Sequence, residues 1–192
     1  RDQPRSRGLG DVYKRQIDAP DPDRLYAYLY SVLSRVSSLR ITPPPTSVHS
    51  AFADFPGEHA TPLFVCKGIR HLALDGVDPA SIVGWDRLSI QLTSLVCTHI
   101  SMADVTDLFV GLVLRDAHIE SLPAAAWHAL QYACLAYNEL TFIPSSMTTI
   151  LPSLRYLDVS HNLLNAVPPA LESLDQLQAC LLYTSPSPRD RG

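Results

Sequence analysis

No stretch of this sequence approaches the roughly 20 uninterrupted apolar residues that a membrane-spanning helix needs, so membrane insertion is not expected. The four cysteines contain no C-x-x-C pair, which removes support for a disulfide framework or a zinc cage and favours reduced thiols in an intracellular, cytoplasmic setting. The absence of an N-x-S/T glycosylation acceptor agrees with that compartment. His49, His59, His71, His99, His118, His128 and His161 form neither an H-x-x-x-H pair nor an H-E-x-x-H motif. G-x-S-x-G, a P-loop and G-x-G-x-x-G are also missing. Catalytic, cofactor-binding and metal-ligating residues are therefore not expected.

The two ends carry an unusual signature. Ser6 to Gln16 reads SRGLGDVYKRQ and Cys180 to Asp190 reads CLLYTSPSPRD. One oligonucleotide encodes the first peptide, and its reverse complement in a shifted frame encodes the second. That DNA resembles the adapter of transposase-based library preparation, so residues 1–16 and 180–192 are expected to be adapter-derived tails without packed structure. Of the 15 Lys+Arg, seven lie in these ends (Arg1, Arg5, Arg7, Lys14, Arg15, Arg189, Arg191), as do three of the 19 Asp+Glu (Asp2, Asp11, Asp190). Residues 17–179 thus carry eight basic and sixteen acidic residues, a net charge of −8. Such a surface repels phosphate backbones, which argues against nucleic acid and anionic membrane as partners.

What is present is a repeat. Leu130-x-x-Ala133-x-Leu135-x-x-Asn138-x-Leu140-x-x-Ile143-Pro144 recurs as Leu154-x-x-Leu157-x-Val159-x-x-Asn162-x-Leu164-x-x-Val167-Pro168, every pair offset by 24. The second unit continues through Leu171 and Leu174, and Leu177 begins a third. Upstream, Ile69-x-x-Leu72-x-Leu74-x-x-Val77 and Leu92-x-x-Leu95-x-Cys97-x-x-Ile100 are offset by 23 and lack the asparagine. Leu112-x-Leu114 with Ile119-x-x-Leu122-Pro123 reads as a degenerate unit with Ala117 at the asparagine position, and Val36-x-x-Leu39-x-Ile41 opens the array. In L-x-L the alternate side chains face a core and the intervening ones face solvent. One such unit cannot close a core, so the units must stack. Asn138 and Asn162 are expected to be structural, their amides satisfying backbone groups where the chain turns inward.

This pattern resembles the leucine-rich-repeat family. The resemblance implies an α/β solenoid with a parallel β-sheet on its concave face, a convex side of irregular chain and short helices, and a role in binding another protein without catalysis. The stretch GWDRLSIQLTSLVCTHI, then DLF and VLRDA, further resembles fungal and animal repeat proteins related to a tumour-suppressor-kinase-interacting scaffold. Two other readings remain open: a regulatory array within a larger signalling enzyme such as a fungal adenylate cyclase, and an extracellular recognition domain.

The remaining segments follow from local signals. Leu25, Tyr28, Leu29, Val32, Leu33 and Val36 recur at three and four residues behind Asp21 and Pro22, which predicts an amphipathic helix covering the open end of the first repeat within residues 17–42. Residues 43–66, rich in Pro and Gly, are expected to be a loop insertion, and residues 67–179 the repeats. Trp85 and Trp127 share apolar spacing with Leu88 and Leu130 and are expected to pack on the convex side. The repeat register predicts a partner-binding patch of Tyr132, Cys134, Tyr137, Arg155, Tyr156, Asp158, Ser160 and His161, with Cys134 as an exposed thiol.

Overall fold

The computed structural model describes residues 21–43 and 61–182. Among the described residues eight short strands follow in chain order: β1 (Ser38–Ile41), β2 (Thr61–Pro62), β3 (His71–Asp75), β4 (Ile82–Val83), β5 (Ser94–Thr98), β6 (Tyr132–Cys134), β7 (Tyr156–Asp158) and β8 (Ala179–Leu181). Six of them form one parallel sheet in the order β1-β3-β5-β6-β7-β8, while β2 and β4 make a separate parallel pair. A parallel neighbour cannot be reached by a tight hairpin, so each unit must return over the far side of the core before the next strand begins.

The sheet register is the sequence period made spatial. Leu72 lies opposite Leu95 and Ala133 opposite Leu157. Leu72 with Leu74, Leu95 with Cys97, Ala133 with Leu135 and Leu157 with Val159 all point into one core. At roughly 1.5–3 kcal/mol per buried Leu or Val, this shared core is what makes stacking favourable where a lone unit would be unstable. Helix α2 (Trp85–Gln91) and the turn before Leu130 bring Trp85 and Trp127 together at 6.2 Å and 45°, with Phe109 against Trp127 at 5.0 Å and 77°. Both indoles are fully buried and donate to backbone oxygens, Trp85 Nε1 to Pro79 at 3.0 Å and Trp127 Nε1 to Phe109 at 2.7 Å. They are convex-side core, with no polar atom left unpaired.

The segment between β5 and β6 is a correction. Ser94 pairs with Tyr132, a step of 38 residues, so no strand is added there and Leu112-x-Leu114 does not form a repeat. It belongs instead to helix α3 (Leu112–Ala117), which continues a five-residue π-helical turn over Asp107–Gly111. Val105, Leu108, Phe109 and Val113 are all buried, and with Leu112 they follow the i, i+3, i+4, i+7, i+8 spacing of a helix stripe. Asp116, beyond this stripe, ties the helix down. Its carboxylate accepts from the N–H groups of Gly84 (2.7 Å) and Trp85 (2.8 Å) and from Arg115 Nε (2.7 Å). Burial alone would raise the Asp116 pKa, but the Arg115 bond and the two backbone N–H groups outweigh it and hold the group below the usual carboxylate range. Gly84 is required at φ 114°, because a Cβ there would stand 2.7 Å from the Phe64 nitrogen.

Three other expectations shift. Helix α1 (Pro22–Leu33) forms behind its Asp21 cap, yet none of its residues is buried, and Leu25, Leu29, Val32 and Leu33 stay between 40% and 45% exposed. Helical spacing shows that a stripe is amphipathic but not which surface it meets. Contact with the first repeat is made at the helix end, where Lys67 Nζ lies 5.4 Å from the Tyr30 ring. Within the expected loop, residues 44–60 lie outside the described residues, while Leu63 and Cys66 are buried parts of the convex side. Finally, the last strand runs past the expected boundary at residue 179: Cys180 lies opposite Leu157, and Val159 N–H donates to the Leu181 carbonyl at 3.0 Å. A parallel edge offers unpaired backbone groups to any extended segment, and Cys180 and Leu181 meet that demand. The expected tail 1–16 and residues 183–192 of the expected tail 180–192 lie outside the described residues.

Asn138 and Asn162 are buried at the strand exits. Asn138 Nδ2 donates to the Cys97 and Leu135 carbonyls at 2.9 and 3.0 Å, and its Oδ1 accepts from Ile100 N–H at 2.9 Å. Asn162 Nδ2 reaches the Leu135, Val159 and Ser160 carbonyls at 2.8, 2.9 and 3.2 Å, and its Oδ1 accepts from Leu140 N–H at 3.1 Å. Each amide therefore bonds to its own unit and to a preceding one. Asn162→Ala leaves several backbone groups buried without partners, and we expect a loss of about 2–4 kcal/mol with an unchanged urea m-value. A loss below about 1 kcal/mol in equilibrium unfolding would contradict that role.

Candidate protein-binding face

The outward residues of the sheet form columns, because parallel strands in register place equivalent side chains about 4.7–4.9 Å apart. One column runs His71, Ser94, Tyr132, Tyr156, Ala179. Tyr132 and Tyr156 are 39% and 44% exposed, and the Tyr156 hydroxyl donates to Gln178 Oε1 at 2.9 Å. Burial, then the proximity of Cys134 and Asp158, pushes the Tyr132 phenol above its ordinary pKa, so it remains a neutral hydrogen-bonding ring. Arg155, immediately before β7, is exposed beside this column.

The next column, Ala73, Val96, Cys134, Asp158, departs from the sequence-based picture. Cys134 is buried, not an exposed thiol, with its Sγ 3.6 Å from Asp158 Oδ2. Burial is the main reason its pKa is raised, and the Asp158 charge adds to it, so the thiolate needed for reactivity is disfavoured. Ser160 is also buried: its Oγ and N–H both donate to Asp158 Oδ1, at 2.7 and 3.0 Å. Alternation assigns a side chain to a face of the sheet, but neighbours on a curved face can still cover it. Cys134 and Ser160 therefore support Asp158 and offer little contact surface of their own.

Where the strands end, a second alignment appears. Gly76, His99, Tyr137 and His161 occupy one repeat position, and all four adopt the left-handed conformation, with φ of 67°, 56°, 57° and 56°. A non-glycine residue there costs roughly 1–2 kcal/mol, so the geometry must be held by its surroundings, here by the asparagine that follows Tyr137 and His161. The shared conformation brings the rings into a column: His99 stacks on Tyr137 at 4.9 Å and 15°, and Tyr137 on His161 at 4.2 Å and 8°. With Ser101, Asn138 and Glu139 these rings line a shallow depression of about 420 Å³. Tyr137 and His161 come together as the register predicts, whereas His99 was missed because its unit lacks the asparagine motif. Among the described residues no group of three His, Cys, Asp or Glu could hold a metal ion.

Asp75 anchors the upstream end of this rim. His99 Nδ1 lies 2.9 Å from its Oδ1, Thr98 Oγ1 donates to the same oxygen at 3.0 Å, and Arg40 donates to Oδ2 at 3.0 Å. The hydrogen bond with His99, then those from Arg40 and Thr98, lower the Asp75 pKa.

No family model matches the chain. It is 36% identical over 93 residues to an uncharacterized leucine-rich repeat-containing protein of Schizosaccharomyces pombe, covering 48% of this chain and 15% of that protein. It is 32% identical over 135 residues to the human serine/threonine-protein kinase 11-interacting protein, covering 70% of this chain and 11% of that protein, and 32% identical over 133 residues to the mouse protein of the same name, with 69% and 11% covered. The chain thus spans only a small part of these relatives. Among solved structures, a leucine-rich-repeat protein of Leptospira interrogans aligns with 83% of this chain and 35% of its own, at 16% identity and a TM-score of 0.46.

The Asp75 cluster has a pH signature. A carboxylate whose folded pKa lies below its unfolded value of about 3.9 contributes stability that is present above that value and lost as pH falls through the folded pKa. The stability difference between the native sequence and Asp75→Asn should shrink as pH falls from about 5 towards 2 in urea titrations. A difference that grows on acidification would reverse the assignment.

Proposed function

This chain is a leucine-rich-repeat protein, and on that premise we propose that its concave face and strand-exit rim form a protein-binding surface, with Tyr132, Tyr156, Tyr137, His161, Arg155 and Asp158 as the contact residues. The observation that carries this reading is the in-register pair of exposed tyrosines on a sheet face, next to a rim of stacked rings. Aromatic side chains give large contact area for little lost entropy and are enriched among the residues that dominate interfaces. Asp158 is prealigned by Ser160 and Cys134, and Arg155 supplies a charge of opposite sign close by.

The name of the human relative supports a serine/threonine protein kinase as the kind of partner. The role is one of holding a partner rather than of catalysis, and the array serves as one module of a larger scaffold. The free thiols of Cys66, Cys97 and Cys134 suit a reducing, intracellular setting for it.

Immobilised chain and purified serine/threonine-protein kinase 11 provide the test by biolayer interferometry. The kinase should bind saturably, and Tyr132→Ala with Tyr156→Ala should weaken it tenfold or more, about 1.4 kcal/mol, while the melting temperature changes little. Unchanged affinity in the double variant would remove the tyrosines from the interface, and absence of binding by the intact chain would remove the kinase.

A further inference from the structure

The 38-residue step between β5 and β6 does more than interrupt the period. Its extra residues fold as the π-helical turn Asp107–Gly111, and a cleft of about 650 Å³ lies between that turn, the loop after β3 and the loop after β5. This volume is in the range of clefts that bind small ligands or single anchoring side chains. Met102 and Leu112 contribute apolar wall, and Asp78, Asp104 and Asp107 contribute carboxylates. No Lys, Arg or His lines the cleft. Arg115, which reaches the Ala80 carbonyl at its edge, is paired with Asp116.

Two features make this a receptive surface and not merely a gap. Leu112 N–H bonds to the Asp107 carbonyl, the i→i+5 closure of a π-turn, a widened geometry that recurs at functional sites. Gly111 is a helical residue with open space where its side chain would be: a Cβ added there meets nothing within 4 Å. The carboxylates are also only partly used. Asp104 spends one oxygen on Thr106 N–H at 2.8 Å and Asp78 one on Ala80 N–H at 2.8 Å, which leaves each a second oxygen for a cation.

We propose that this cleft docks a short extended segment of a partner protein in which an apolar side chain alternates with arginine or lysine. The apolar side chain enters over Gly111 between Met102 and Leu112, and the flanking cations meet Asp78, Asp104 and Asp107. Charge complementarity selects this occupant: three carboxylates without a basic neighbour attract cations and exclude acidic peptides, and the apolar floor excludes purely polar ones. Neither Tyr132 nor Tyr156 lines this cleft, although Ser101 borders both it and the rim depression.

Fluorescence anisotropy with the whole chain and a fluorescein-labelled octapeptide of alternating leucine and arginine tests the proposal. The same peptide with Glu for Arg, or Gly for Leu, serves as the comparison. The Leu-Arg peptide should bind saturably in the micromolar range and at least tenfold more tightly than either comparison. Gly111→Trp fills the cleft without changing charge and should weaken binding at least tenfold. Asp104→Asn with Asp107→Asn keeps the oxygen that caps Thr106 and should weaken binding as much while flattening its salt dependence. Tyr132→Ala with Tyr156→Ala should leave peptide affinity unchanged, which separates this site from the concave face. Melting curves show which variants are folded; if Gly111→Trp is not, the Asp-to-Asn pair decides. Native affinity in folded Gly111→Trp, native affinity in the Asp-to-Asn pair, equal binding of the Glu peptide, or no saturable binding up to millimolar peptide would each overturn the proposal.

Discussion

A buried carboxamide at the strand exit is the interaction on which the regular part of this structure depends. A chain that turns sharply inward after each short strand leaves peptide groups pointing into a core that cannot hydrate them, at about 1–3 kcal/mol for each group left unpaired. Asn138 and Asn162 meet that demand between them through five bonds to four carbonyls, that of Leu135 being shared by both, and through two N–H groups. Because each amide spans its own unit and an earlier one, the turns are tied to one another as the strands are. Aspartate could not replace them, since the bonds to carbonyls require N–H donors.

This constraint reaches the surface. Holding the turn keeps Tyr137 and His161, each just before an asparagine, in the left-handed region, and the in-register strands stack them with His99, which takes the same conformation in a unit without the asparagine. His99, Tyr137 and His161 are thus aligned by backbone geometry, and the stacking energy of about 0.5–1.5 kcal/mol per aromatic pair offsets part of the conformational strain. Recognition and stability share the same turn: the tyrosines of the sheet lie in the strand that enters it and the rings of the rim lie within it. On the convex side the constraint relaxes. Return segments need only fill space, so the segment after β5 can lengthen, bury Phe109 against Trp127 and open a cleft without disturbing the register of β6.

How much was legible follows from the same division. The L-x-x-L-x-L spacing specified the strands and the inward residues from Leu72 to Val159, because a period-2 pattern assigns each side chain to a face, while the parallel order came from the family resemblance. Leu112-x-Leu114 was misread since two leucines two apart also occur inside a helical stripe, and Val105, Leu108 and Phe109 carried the helical signal. The pairing of Tyr132 with Tyr156 and of Tyr137 with His161 could be read from the 24-residue offset. The burial of Cys134 and Ser160 could not, because it depends on the reach of Asp158 and on the curvature of the face. The apolar stripe of α1 was legible as a stripe, but its exposure depends on a docking geometry that spacing does not encode.

If the shared asparagine ladder organises the array, the amides it captures must behave as core, although they lie in turns. Native-state hydrogen exchange at Ile100 and Leu140 measures this directly, with Leu135, whose N–H donates to the Asp158 carbonyl at 2.7 Å, as the internal standard for the sheet. The account predicts that Ile100 and Leu140 exchange with protection close to that of Leu135, opening only when the array unfolds. Exchange at the rates of an exposed loop, with Leu135 still protected, would contradict it.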